Sequence, residues 1–262
     1  MIHPTAVIHP CATLGHDVSV GAYATVGEDA TIGDGTVIGS HATIGKSVAL
    51  GVCNIVASGA CVGVSERAEA SSRRTPSVVI GDRNLIREFA CITAGPDFEN
   101  PTRVGNDNFL MACCHLGAGC QVGSNTVLAN GARIGARAVI GDGVNISGLV
   151  RIEDAVRIGR LAMVGGVSHV DRNVPPFTMV TGNPATPRCL NYTGLKRNGL
   201  MAKHLGEDLR ELKRIWWNCH RSASTNLKTT DLGFSATSAL AAEFLAFNRD
   251  NSAPVAPDPE CC

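Results

Sequence analysis

IHPTAVIHPCATLGHDVSVGAYATVGEDATIGDGTVIGSHATIGKSVALGVCNIVASGACV, residues 2–62, carries an aliphatic side chain at every sixth position. The series is Ile2, Ile8, Leu14, Val20, Val26, Ile32, Ile38, Ile44, Leu50, Val56 and Val62. It returns at Ile80, Ile86 and Ile92, and again from Val104 through Val170; Ala68, Arg74 and Phe98 break it. Glycine often follows the aliphatic, as at Gly15, Gly21, Gly27 and Gly33, and a small or β-branched residue stands four positions on, as at Ala24, Ala30, Thr36 and Ala42. A step of six turns an α-helix by about 240°, so the aliphatics would scatter around a helix instead of lining one face. A short strand and a turn per six residues puts each aliphatic inward, with the small residue beside it and glycine where the backbone must turn.

The expected fold is therefore all-β. It is a parallel β-helix of hexapeptide repeats, in which three units of six close one triangular coil of about eighteen residues. Coils stack as parallel strands, and each inward Ile, Leu or Val contributes about 1.5–3 kcal/mol. Counting by coils puts Val62, Ile80, Leu116, Ile134 and Ile152 on one inward ladder, with Phe98 completing it. The prism is expected over 1–172. Polar or Pro-containing excursions interrupt it at about 64–78 and 94–103, where long loops on a rigid scaffold carry function or are tolerated insertions.

The segment DRNVPPFTMVTGNPATPR has no period, and 173–194 reads as an extended link. In the helical C-terminal region expected over 195–250, the period changes to three or four. Met201, Leu205, Leu209, Leu212 and Trp216 predict an amphipathic helix. Leu240, Phe244 and Phe247 predict another over about 236–248, with Ser235 as cap. The Pro-rich tail, 251–262, has the composition of a disordered segment.

The chain has 262 residues with 23 basic and 23 acidic side chains, so no net field attracts nucleic acid or an anionic membrane. Hydrophobic residues make 44% and aromatics only 4%, which requires an aliphatic, finely divided core. No run approaches the ~18 apolar residues of a membrane span, and MIHPTAVIHP does not read as a secretory signal, so the expected location is cytoplasmic. The 11 cysteines are odd in number and contain no Cys-x-x-Cys pair; seven of them, Cys11, Cys53, Cys61, Cys91, Cys113, Cys114 and Cys120, fall within the repeats and read as small core or surface residues, with no disulfide framework and no metal site expected.

Four strings then stand in order: IGDRNLIRE (80–88), VGNDNFLM (104–111), NVPPFTMVTGNPAT (173–186) and LNYTGLKRNG (190–199). Together with a helical C-terminal region they resemble the acyl-carrier-protein-dependent UDP-N-acetylglucosamine O-acyltransferases of lipid A biosynthesis, over about residues 1–215. The resemblance implies a left-handed coil and a homotrimer with sites between neighbouring prisms. It also implies acyl carrier protein and a UDP-sugar as partners, no cofactor, and transfer of a hydroxyacyl chain to a sugar hydroxyl. That chemistry needs a base for the hydroxyl proton and donors for the oxyanion.

Several positions depart from the family pattern. The family's base histidine aligns with Ala118 and its carboxylate with Ala68; other family histidines align with Thr93, Arg137 and Glu153. His115 is present and is the remaining candidate base, although an ordinary cleft-lining histidine fits the same position. Glu153 is either its orienting carboxylate or a solvated charge. Asn191 and Arg197 match the family's nucleotide-side residues, and Thr93 and Arg137 are the further substrate-side candidates. Two functions follow from the resemblance: an acyltransferase with a rearranged site, or an inactive paralogue that binds a sugar nucleotide or acyl carrier protein. A carbonic-anhydrase-like metal site would need three convergent histidines, and His3, His9, His16, His41 and His115 are scattered through the coils.

Overall fold

The computed structural model describes residues 1–64, 77–95, 99–201, 206–222 and 236–249. Its backbone is a left-handed triangular prism of three parallel sheets. Sheet one has nine strands, from Val7–Ile8 to His169–Val170, and sheet two has eight, from Thr13–Leu14 to Arg157–Ile158. Sheet three has ten, beginning at Ser19–Val20 and ending in the hairpin Thr178–Thr181 with Thr186–Leu190. The aliphatic series points inward as expected: Ile86, Leu110, Leu128, Ile146 and Val164 form one ladder, each 0% exposed.

Glycine after the aliphatic serves close stacking instead of the turn itself. A Cβ on Gly27 would lie 2.8 Å from the carbonyl carbon of Gly45 on the next coil. Positive φ falls two residues later, at Gly35 (+65°) and also at non-glycine corners such as Tyr23 (+56°) and Leu149 (+56°). Each such L-residue in the left-handed region costs about 1–2 kcal/mol, which the stacked coils must offset.

The ladder expected through Val62, Ile80 and Leu116 is corrected. Val62 pairs with Ile92, Ile92 with Leu116, and Leu116 with Ile134; Ile80 belongs to sheet two, between Leu50 and Val104. Equivalent buried residues lie 18 apart in regular coils, but 30 apart from Asn54 to Asn84 and 24 apart from Asn84 to Asn108. The two excursions are whole multiples of six, so they preserve the local repeat while rotating the three-fold phase. Val64, Val78 and Thr102–Arg103 are strand residues, which narrows both excursions. Phe98, Ala68 and most of the first excursion lie outside the described residues.

One inner corner is polar. The Asn84 N–H and side-chain amide donate to Asn54 Oδ1 at 2.9 and 3.0 Å, and the Asn108 N–H donates to Asn84 Oδ1 at 3.0 Å. Thr126 closes the run through its N–H and hydroxyl on Asn108 Oδ1. These buried amides satisfy corner N–H groups that have no strand partner.

Residues 173–194 are no extended link. Val174 bridges to Ile158, Thr178–Thr181 continues sheet three, and the hairpin returns antiparallel to helix α1, Tyr192–Arg197. Helices α2 (Gly206–Ser222) and α3 (Ala239–Arg249) pack a second core of Phe177, Leu195, Leu212, Ile215, Trp216 and Phe244 against the end of the prism. Trp216 Nε1–H donates to Thr178 Oγ1 at 3.0 Å, and Arg160 pairs with Glu243 at 2.7 Å. Helix α3 starts three residues later than expected, where Ser238 Oγ accepts the Ala241 N–H at 3.3 Å. Ser235, Leu205 and the tail 251–262 lie outside the described residues.

Candidate functional site

Sheet one carries the candidate residues. Its outward positions pair rung by rung, Cys61 with Cys91, Cys91 with His115, His115 with Arg133, Arg133 with Arg151, and Arg151 with His169. Parallel neighbours are about 4.8 Å apart, so these side chains form one column along the prism.

His115 is half-buried within it. Burial first, and then the positive charge of Arg133, push its imidazole below the ordinary value of 6.5. Near neutral pH the ring is therefore unprotonated and able to accept a proton.

The corner that follows brings two expected positions together. Arg137 is exposed at a turn with φ +56°, and its N–H donates to the carbonyl of Ala118 at 2.9 Å. Thr93 lies on the same sheet two residues beyond Cys91. Its carbonyl accepts the Thr102 hydroxyl at 2.7 Å. His115, Thr93, Ala118 and Arg137 thus share one face and edge of the prism.

Asn191 and Arg197 belong to the helical appendage. Asn191 is buried and both its polar atoms are used within the chain. Oδ1 accepts the Gly194 N–H at 3.0 Å as the cap of α1, and Nδ2 donates to the Leu161 carbonyl at 2.9 Å. Its direct role is to fix the start of α1, and Arg197 stands exposed in the last turn of that helix.

Glu153 is not the carboxylate of His115. Its Oε1 is held by His169 Nε2 at 2.6 Å and by Arg151 Nε at 3.0 Å, and these contacts, led by His169, keep its carboxyl below the usual range. Asn183 Oδ1 lies 3.3 Å from the other ring nitrogen of His169. Sequence reasoning missed this cluster. Its signal was the coil period, since His115, Arg133, Arg151 and His169 are successive rungs of one column.

No group of three or more His, Cys, Asp or Glu among the described residues could hold a metal ion. His41 stacks on Tyr23 at 5.2 Å, and His3 Nδ1 meets Thr5 Oγ1 at 2.9 Å, so the early histidines do not converge. No described helix is long and apolar enough to cross a membrane.

Comparison with known proteins agrees with this architecture. The bacterial transferase hexapeptide (six repeats) model matches residues 12–46 and 101–136. The model for UDP N-acetylglucosamine O-acyltransferase, domain 2, matches residues 173–253. An acyl-[acyl-carrier-protein]–UDP-N-acetylglucosamine O-acyltransferase of Paracidovorax citrulli is 50% identical over 205 residues, covering 78% of each chain. The protein of that name from Leptothrix cholodnii is 46% identical over 206 residues, also covering 78% of each. The solved UDP-N-acetylglucosamine acyltransferase of Campylobacter jejuni superposes with a TM-score of 0.80 at 33% identity, over 94% of this chain and 95% of that one.

Proposed function

The chain belongs to the UDP-N-acetylglucosamine O-acyltransferase family, and from that membership we propose that it moves an acyl chain from acyl carrier protein to a hydroxyl of a UDP-sugar, using His115 as base. The observation that carries the proposal is the half-buried imidazole of His115, held unprotonated on the face that also carries Thr93 and adjoins Arg137. His115 takes the sugar hydroxyl's proton, and the oxygen attacks the thioester carbonyl. The carbon–sulfur bond breaks, and the proton leaves with the carrier thiol. Arg137, an exposed cation at the edge of this face, meets an anionic group of the substrate, and Thr93 offers a hydroxyl to the sugar. Arg197 meets the nucleotide, with Asn191 as the positioning residue that fixes its helix. The functional unit is a cytoplasmic homotrimer.

A second reading is favoured by Ala118, which stands where the family carries its base, and by the engagement of Glu153 away from His115. On that reading the chain is an inactive paralogue that binds a sugar nucleotide or acyl carrier protein. Mixing the purified protein with a panel of acyl-carrier-protein thioesters and UDP-N-acetylglucosamine separates the two. Acylated sugar nucleotide in the mass spectrum supports transfer. A raised melting temperature with the nucleotide, lost in Arg197→Ala, and no product with any thioester supports the binding paralogue.

A further inference from the structure

Cys61 and Cys91 form a cysteine-on-cysteine rung on sheet one, and both are free thiols. Both are half-buried, point outward, and lie in register on neighbouring parallel strands. Such neighbours are about 4.8 Å apart, inside the roughly 4.4–6.8 Å range of Cα separations that a disulfide bridges. The register slips between Val62 and Val64, directly after Cys61, and a ladder irregularity of this kind lets the strand bend locally. Cys114 and Cys120 are by contrast buried in the core and face no cysteine across a rung. We propose that Cys61 and Cys91 form a reversible disulfide, a modification site that controls the adjoining face.

The surroundings supply the chemistry. His115 is the next rung after Cys91, and its unprotonated ring is the nearest base along the column. Burial, with Cys61 beside it, pushes the Cys91 thiol above its ordinary range, so the thiol stays protonated until a base removes its proton. His115 takes that proton, and the Cys91 thiolate attacks one sulfur of a low-molecular-weight disulfide oxidant, expelling one thiolate, which takes the proton back from His115. Cys61 then attacks the mixed disulfide, and the second oxidant sulfur leaves as thiol with the remaining proton. Two protein thiols are oxidised and one oxidant disulfide is reduced to two thiols. The new bond ties two coils together one rung from His115, in the strand that ends at Val64.

The effect on activity rests on the reading of His115 given above; the bond itself does not. The full-length protein is treated with oxidised glutathione, denatured, alkylated and mapped by mass spectrometry. The expected product is a bridged Cys61–Cys91 peptide pair that dithiothreitol reverses and that Cys61→Thr lacks. Threonine already occupies the preceding rungs at Thr25 and Thr43, so this variant keeps the fold. Full alkylation of both cysteines, a terminal glutathione adduct, or bonds to other cysteines overturns the proposal. Oxidation is expected to slow acyl transfer by about a hundredfold, the order produced by displacing a catalytic group by about 1 Å. Cys61→Thr is expected to show no such fall. A bridged protein with an unchanged rate removes the control, whereas absent activity in the reduced protein counts against the transferase reading and leaves the mass result standing.

Discussion

At the scale of single residues, the proposed chemistry depends on a histidine whose environment favours the neutral ring. Burial and Arg133 depress the His115 pKa from 6.5, so the unfolded chain binds its proton more readily than the folded one does. Stability contributed at this position is therefore whole above 6.5 and falls as pH drops from there toward the lower folded value. His115→Asn carries no titrating ring, so the wild-type melting temperature should fall more steeply than the variant's between about pH 7 and pH 5. Parallel curves would mean that the ring is solvated and not poised. The position of His115 was legible in the repeat, because it immediately precedes the inward Leu116. The engagement of Glu153 was not, because it depends on His169, a partner 16 residues away around the coil. Nor was the capping role of Asn191, which is set by the carbonyl of Leu161, 30 residues earlier.

At the scale of elements, hexapeptide spacing gave the strands, and helical spacing gave α2 and α3, because each period reports one buried face; Met201, the first residue of the predicted helix, lies instead in a turn before α2. What joins α2 to α3 was hidden. Glu211 accepts the Thr237 N–H at 2.9 Å and the Ser238 N–H at 2.8 Å, tying the start of α3 to the side of α2. These hydrogen bonds pull its carboxyl down to about 2. A depressed carboxylate stabilises the fold above its ordinary pKa of 4.5, and that contribution is lost as pH falls toward about 2. Glu211→Gln should loosen α3 at neutral pH and flatten the acid response of the appendage. The readout is emission from buried Trp216, with the prism's strand signal unaffected. If emission in the variant follows the wild-type acid curve, another group holds α3.

At the scale of the whole molecule, the prism is a stack in which each coil contacts its neighbours, so stability sums over coils and interfaces. The sequence showed that stack but misplaced its phase at Ile80, because an insertion in whole repeats leaves the local period intact. The corrected register makes a strong claim. Removing residues 65–76 should restore the regular coil step between Val62 and Ile92, keep cooperative unfolding, and change stability by about 1 kcal/mol or less. Removing only residues 67–75 should instead misregister the following strands and broaden the transition. The proposed function belongs to the same assembled object, since sheet one aligns His115 with its neighbours only when the coils are stacked. The most direct measurement is therefore acyl transfer from the matched carrier thioester to UDP-N-acetylglucosamine by the folded wild type and by His115→Ala at equal melting temperature. The account predicts product from the wild type and a fall in kcat/KM of about a hundred- to ten-thousandfold in the variant. Equal rates in the two proteins would contradict it.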